Sequence, residues 1–284
     1  MRDDSLTYTL TTPGGVVTLQ PGTNIFARDI EWSADIKTEI FDRPQAHGGY
    51  YDAAFKGGGV WACTTWLKAI RVSAATVEAN RSSVVKAINS IMDADGTLSW
   101  TNYGGTTAMQ LTVRALQDIK FVKGGVGWLA NMQLYSEKPF AEDATATTVD
   151  SIALTAGGGG FSIPLTIPVT LTASSGGTLQ VTNSGDFYAY PILRVYGPIT
   201  NPNVINSTLG QRLVFSGSIA SGDYWEIDLF NKTVKLNGLT SIRALTVASS
   251  DWFKCGFGTT DLQLSGTNYT STTKLRALMR SAWG

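Results

Sequence analysis

The chain has 284 residues, of which 43% are hydrophobic and only 15% are charged, and it contains 30 glycines and one histidine. This low charge excludes a chain built mainly of solvent-exposed helices, and the apolar content excludes wholesale disorder. The 22 basic residues balance 22 acidic ones, so the chain lacks the basic excess that is typical of dedicated nucleic-acid binders.

The first strands are predicted from alternating apolar and polar residues. This alternation covers Leu6–Leu10, Val16–Gln20 and Arg28–Ile40, as expected for half-buried strands. The turn residues Pro13–Gly15 separate the first two strands and predict a hairpin between them.

One helix is predicted over residues 76–94, because apolar residues recur there at a period of 3.6. Asp95 and Gly96 follow it as a stop signal. Its predicted apolar face consists of Val77, Val84, Val85, Ile88, Ile91 and Met92. We expect this face to pack on the N-terminal sheet.

The composition changes near residue 140 and divides the chain. Residues 144–160 are rich in Ala, Thr and Gly and are predicted to be a linker. We therefore expect an N-terminal domain at 1–143 and a C-terminal domain at 161–284. The latter contains only strand patterns, at the spacing of a β-sandwich, so the predicted fold class is mainly β with one prominent helix.

The residues that could carry chemistry are few. His47 lies in a Gly-rich loop without a neighbouring carboxylate or cysteine, and we interpret it as a turn or packing residue. Cys63 and Cys255 are 192 positions apart and are interpreted as two buried thiols. We therefore predict no catalytic residue, no cofactor and no metal site.

Glu226 and Asp228 form the one carboxylate pair that we consider as possible catalytic residues of a glycosidase. They are two positions apart on one predicted strand and so share a face, with about 7 Å between them, which suits glycoside hydrolysis. Trp225, Ile227 and Leu229 occupy the other face. This pattern favours a solvent-facing polar surface above an apolar core.

The last ninety residues carry a recognisable order of short motifs. These are Gly197–Pro202, Val204–Asn206, Leu213–Phe215, Ser221–Asp228, Thr233–Gly238 and Lys274–Trp283. In this segment Asn231 and Lys232 are predicted to form a two-residue hairpin loop, and Asn237–Gly238 is predicted to form a turn with positive φ. The order resembles the C-terminal domain of distal tail proteins from bacteriophages with long, flexible tails. The layout of the first 140 residues, strands around one helix, is similar to the N-terminal belt domain of the same family.

The resemblance implies a fold and an assembly. It implies a belt domain made of a β-sandwich plus an α-helix, followed by a galectin-like β-sandwich. It also implies a structural virion protein at the phage tail tip that forms a hexameric ring, with DNA passing through the lumen without specific binding. The partners implied are the tail tube protein, the tail hub protein and a receptor-binding protein, without insertion into a membrane.

Two groups of residues are expected to serve this assembly. Tyr50, Tyr51 and Trp61, bracketed by glycine clusters, are predicted to form an arm that reaches a neighbouring subunit. Pro198, Asn201 and Pro202 are predicted to form a docking edge on the C-terminal domain, because proline is confined to edge strands and loops of sheets.

Two other functions remain open from the sequence. The first is a carbohydrate-binding or receptor-binding tail module that uses exposed Trp or Tyr side chains. The second is the glycoside hydrolase based on Glu226 and Asp228. No segment of the chain has the length and composition of a membrane span or a secretory signal.

Overall fold

A computed structural model describes residues 6–37, 40–42, 49–51, 55–68, 73–101, 106–124, 127–151, 153 and 177–284. Within it the chain divides into two compact units, residues 1–144 and 145–283. The described part is rich in strands and contains one α-helix, which confirms the predicted fold class.

The described residues of the first unit form eleven strands and the helix. They are β1 (Tyr8–Thr12), β2 (Gly15–Leu19), β3 (Ile25–Lys37), β4 (Ile40–Asp42), β5 (Gly49–Tyr51), β6 (Phe55–Lys68), α1 (Ala74–Ser90), β7 (Gly96–Thr101), β8 (Ala108–Ala115), β9 (Val122–Gly124), β10 (Gly127–Ser136) and β11 (Ala141–Asp143). The main strands are hydrogen-bonded in the order β2-β1-β7-β8-β10-β6-β3. The predicted hairpin of β1 and β2 is confirmed by their antiparallel pairing.

Helix α1 begins after Ser73, whose side chain accepts a hydrogen bond from the backbone N–H of Thr76, a common N-cap. The helix contacts β1, β2 and β6. Val77, Val84 and Ile88 are buried, as is Ile91 at the C-cap, which confirms most of the predicted face. The other two residues of the face differ: Val85 is only half-buried, and Met92 is 41% exposed because the helix ends at Ser90 and Met92 leaves the helical period.

The glycine cluster Gly57–Gly59, whose composition alone suggests a flexible spacer, has a different role in the structure. Gly57–Gly59 lies inside β6, where the backbone is approached closely by two aromatic side chains. A Cβ atom added at Gly59 would overlap the ring of Trp32, and one at Gly58 would overlap the hydroxyl of Tyr135. Glycine is thus required here to admit the aromatic side chains.

In the part of the second unit that the structure describes, there are twelve strands and a short 3₁₀ helix. They are β12 (Thr147–Asp150), β13 (Thr178–Asn183), β14 (Ile192–Tyr196), β15 (Ile199–Asn206), β16 (Gln211–Val214), β17 (Ser218–Ile219), β18 (Tyr224–Asp228), β19 (Thr233–Leu236), β20 (Thr240–Ser241), η1 (Arg243–Leu245), β21 (Gly258–Thr267), β22 (Lys274–Met279) and β23 (Ala282–Trp283).

Two antiparallel sheets form this unit, as the sandwich prediction requires. One has the strand order β12-β22-β14-β18-β19-β20, and the other has β13-β21-β15-β16 with β17 beside β15. Inward side chains alternate along the strands, as expected for sheet-on-sheet packing. The core includes Leu193, Val204, Trp225, Ile227, Leu262 and Leu275, each at most 2% exposed.

Strand β12 lies within the predicted linker 144–160. It pairs with β22 from Thr147↔Met279 to Asp150↔Arg276, and Ser151 continues the contact by donating its backbone N–H to the carbonyl of Leu275. Residues up to Ser151 are therefore part of the second unit, because their backbone groups are paired with its sheet. Residue 152 and residues 154–176, which include the second glycine cluster, lie outside the described residues.

Two turns complete the comparison with the predicted hairpins. Asn237 and Gly238 have φ values of 50° and 73°, which confirms the predicted positive-φ turn. The preceding loop is longer than the predicted pair Asn231 and Lys232, since it spans 229–232 between β18 and β19. Asp228 explains the longer loop, because one of its carboxylate oxygens accepts hydrogen bonds from the backbone N–H groups of Phe230 and Asn231.

Candidate functional site

The predicted arm lies between β3 and β6, where the described backbone forms a second, short hairpin. Strands β4 and β5 pair with the register Ile40↔Tyr51, Phe41↔Tyr50 and Asp42↔Gly49. The Gly-rich segment around His47, which is predicted to be a loop, therefore ends in a strand at Gly49–Tyr51. For Tyr50 and Tyr51 the structure describes this backbone pairing, and His47 lies outside the described residues.

Trp61 does not belong to this arm. Its side chain is 3% exposed, and its ring lies 5.4 Å from the ring of Tyr8. It is buried because β6 directs it into the core of the first unit, and it is therefore unavailable to a neighbouring subunit. The arm prediction is thereby reduced to Tyr50 and Tyr51.

The predicted docking edge is not an edge. Strand β15 is internal, since it pairs with β21 on one side and with β16 and β17 on the other. The prolines are tolerated for another reason: the register between β15 and β21 shifts between Thr200 and Asn203, and Pro202 lies within this bulge.

The three residues of the predicted edge have different environments. Pro202 is buried and Pro198 is half-buried, whereas Asn201 is exposed. The backbone of Asn201 has a φ of 49°, and its side-chain oxygen accepts a hydrogen bond from Gly217 N–H at 3.0 Å. The bulge thus ties β15 to the following turn and leaves little of the predicted edge exposed for docking.

Both carboxylates of the candidate glycosidase pair have structural partners. The Glu226 carboxylate lies 2.9 Å from both Nε and Nη2 of Arg194 on the neighbouring strand β14. Asp228 holds the 229–232 loop, and its second oxygen accepts a hydrogen bond from Asn231 Nδ2 at 2.8 Å. The strand pattern places Glu226 on the outer face, but its pairing with Arg194 depends on a register that neither strand encodes alone.

The two cysteines are buried and free, as predicted. Burial raises the pKa of each thiol to about 12, because a thiolate would lose its hydration. Among the described residues, no group of three or more His, Cys, Asp and Glu side chains could hold a metal ion. In the same residues, no helix is long and apolar enough to cross a membrane.

Comparisons with known proteins support the resemblance. Residues 184–276 match the family model described as the C-terminal domain of the siphovirus-type tail component. No curated protein sequence is similar to the chain.

Solved structures are similar over nearly the whole chain. The Dit protein of phage SPP1, described as a paradigm of the hub adsorption apparatus in phages that infect Gram-positive bacteria, matches with a TM-score of 0.61. This match has 11% sequence identity and covers 97% of this chain and 98% of that one. Two structures of the phage p2 baseplate in its activated conformation match at TM-scores of 0.46 and 0.48, with 10% and 11% identity over the same shares of both chains.

The family match falls on the strands of the second unit, from just after β13 into β22. The structural match to SPP1 Dit extends over the first unit as well. Residues 184–276 are therefore similar to the C-terminal domain of siphovirus-type tail components, and the chain as a whole has the fold of SPP1 Dit.

Proposed function

We propose that this protein is the structural hub of a siphovirus-type tail tip, where it forms a hexameric ring that joins the tail tube to the adsorption apparatus. The observation that carries the proposal is the fold shared with SPP1 Dit over 97% of the chain, together with the tail-component match in the second unit. The protein resides in the virion, and its ring lets DNA pass.

The first unit forms the ring in this proposal. The hairpin of β4 and β5 extends between the two long strands β3 and β6, whose pairing reaches Lys37↔Phe55. This arrangement supports an arm that reaches the adjacent subunit through Tyr50 and Tyr51. The zero formal charge of the chain suits a lumen that DNA crosses without being bound.

The second unit serves as a rigid docking platform and has no enzymatic role in the proposal. Glu226 is held by Arg194, and Asp228 caps a loop, so both carboxylates have roles that require no substrate. The partners proposed for the assembled ring are the tail tube protein, the tail hub protein and a receptor-binding protein. No cofactor is required.

Native mass spectrometry of the full chain tests the proposed ring. We expect a mass six times that of the monomer. Replacing residues 40–51 by a two-residue Asn-Gly turn should give folded monomers that lack only β4 and β5, because the arm would be removed while β3 and β6 remain joined. As a control, Leu239→Ser alters a side chain that is 84% exposed in the second unit and should leave the ring intact. A monomeric wild-type chain, even with tail partners added, would contradict the proposal.

A further inference from the structure

The outer face of the sheet that contains β14 and β18 carries two adjacent rows of side chains, which we call the Tyr–Arg ladder. The first row crosses five strands and the second crosses three, with each residue opposite the next in the strand register. The first row is Asp150, Arg276, Arg194, Glu226 and Lys235. The second row is Lys274, Tyr196 and Tyr224.

The charged groups of the ladder are held in fixed positions by ion pairs. Arg276 contacts both oxygens of Asp150, at 2.6 Å and 2.9 Å, and Lys274 contacts the same carboxylate at 2.9 Å. Arg194 contacts Glu226 at 2.9 Å. The side chains of Arg194 and Arg276 are each 30% exposed, so these guanidinium groups are ordered and still accessible.

The rings of the two tyrosines also help to hold the arginine side chains in place. The rings of Tyr196 and Tyr224 are 5.4 Å apart. The guanidinium of Arg194 lies 5.3 Å from the ring centre of Tyr224, and that of Arg276 lies 5.5 Å from that of Tyr196, both within the range of cation–π attraction. Side chains fixed in this way lose little conformational entropy when a partner binds.

One feature of the ladder is that two like charges face each other across neighbouring strands. Arg194 and Arg276 are directly opposite each other on the neighbouring strands β14 and β22, and like charges at such positions destabilise a sheet. Their carboxylate partners lie on the outer sides of the pair, on β18 and β12. Both guanidinium groups are hydrogen-bonded to the side chain of Tyr196, but no carboxylate in the row lies between them, so an external carboxylate there would add a counter-charge.

The ladder also differs in charge from its surroundings. Its two rows contain four cations and two carboxylates, whereas the whole chain is neutral. The outer face of the other sheet is mainly uncharged and polar, with exposed Gln180, Thr182 and Thr259 beside Asp261 and Arg212. Tyrosine and arginine are enriched in protein interfaces and in their hot spots.

We propose that the Tyr–Arg ladder docks an acidic segment of another tail protein, with a carboxylate of that partner placed between Arg194 and Arg276. This proposal rests on the proposed hub function, because it names the surface and the partner chemistry of the docking platform. Arginine is suited to the role since its planar fork binds carboxylates in a bidentate geometry.

The test uses full-length protein and fluorescein-labelled hexaglutamate as the probe, with fluorescence anisotropy measured at low salt. The decisive variant is Arg194→Glu combined with Glu226→Arg. It preserves the composition, the net charge and the cross-strand ion pair, but it places a carboxylate opposite Arg276 and so removes the arginine pair. We expect about tenfold weaker binding of the probe, corresponding to one lost charged hydrogen-bonding group.

A matched control removes a positive charge from the other sheet. Arg212→Gln should bind hexaglutamate like the wild type, since Arg212 lies outside the ladder. If the exchanged variant fails to fold, the double variant Arg194→Lys with Arg276→Lys replaces it, because it keeps both charges and removes only the forked geometry. It should also weaken binding.

Three results would overturn the proposal. They are an absence of hexaglutamate binding to the wild type, equal binding to the wild type and the exchanged variant, and tighter ladder-dependent binding of inorganic polyphosphate, which would indicate a phosphate polymer instead of a protein. Native mass spectrometry separates the two proposals. A ring that forms without binding the probe refutes the ladder alone, whereas a wild-type chain that never forms a ring refutes the hub.

Discussion

The two units cover their sheets in different ways, and the difference shows which side chains the stability of each unit depends on. In the first unit one helix covers part of the sheet through contacts with β1, β2 and β6, so a few apolar side chains on that helix carry the packing. In the second unit a sheet covers a sheet, and the core is shared among many strands. The outer faces of the second unit are therefore available for polar side chains.

The largest loss of stability is expected from a substitution in the core of the second unit. Trp225 is 2% exposed, and its ring lies edge-on to Phe215 at 5.7 Å. Trp225→Ala should lower the free energy of unfolding of the second unit by about 3–5 kcal/mol because it leaves a large cavity. Calorimetry together with hydrogen exchange should assign the loss to residues 177–284. An equal loss of protection in α1 would show that the two units unfold together.

The helix provides the matching test in the first unit. Ile88 is 1% exposed on the covering face of α1, so Ile88→Ala should cost about 2–4 kcal/mol in urea unfolding. Val16→Ala, at a side chain that is 61% exposed, serves as the control and should change stability by less than about 0.5 kcal/mol. A similarly small loss for Ile88→Ala would mean that this face of α1 does not pack on the sheet in the isolated subunit.

A third test addresses the glycines of β6. Gly59→Ala would force the ring of Trp32 to move, and we expect a loss of about 1–3 kcal/mol from overpacking. Gly256→Ala provides a control, because no heavy atom would lie within 4 Å of the added Cβ. Thermal melting of the two variants should therefore differ clearly. Equal melting temperatures would mean that the cluster is a spacer after all.

The smallest change in the free energy of unfolding is expected from Asp150 on β12, and this change depends on pH. Hydrogen bonding from Arg276, assisted by Lys274, lowers the pKa of Asp150 well below its usual range. The stabilisation is therefore complete above the unfolded-state pKa of about 4 and is lost as the pH falls below it. Asp150 is 35% exposed, so solvent screening limits the contribution to less than about 1 kcal/mol.

Urea unfolding at pH 7 and pH 3 measures this effect. Asp150→Asn should lower the stability at pH 7 and reduce its decrease toward pH 3. Asp261→Asn is the control on the other sheet: Asp261 accepts a hydrogen bond from Gln180 Nε2, which the amide oxygen of asparagine can also accept. A pH profile of Asp150→Asn that superimposes on the wild type would exclude a stabilising role for this carboxylate.

The sequence predicted local structure well where the pattern was continuous. The Trp225–Leu229 alternation, the Asn237–Gly238 turn and the face of α1 are all properties of neighbouring residues, and the structure confirms them. Strand β21 was missed because only Leu262 and Leu264 mark its inner face.

The features that were predicted wrongly depend on distant parts of the chain. Pro202 suggested an edge, but a bulge accommodates it in an internal strand. Trp61 suggested an arm, but the pairing of β6 directs it into the core. The ladder was not predicted at all, because Asp150, Arg194 and Arg276 meet only through the strand register.

The buried thiols of Cys63 and Cys255 bear on how well the folded protein resists oxidation. Burial raises the pKa of both side chains to about 12, so they are held as thiols at neutral pH, whereas the thiolate is the form that reacts with oxidants. Moving from a reducing cell into an aerobic medium should therefore leave both cysteines unchanged. Both cysteines are free and buried in the folded protein. A thiol-reactive label should therefore react selectively with a cysteine introduced at the surface.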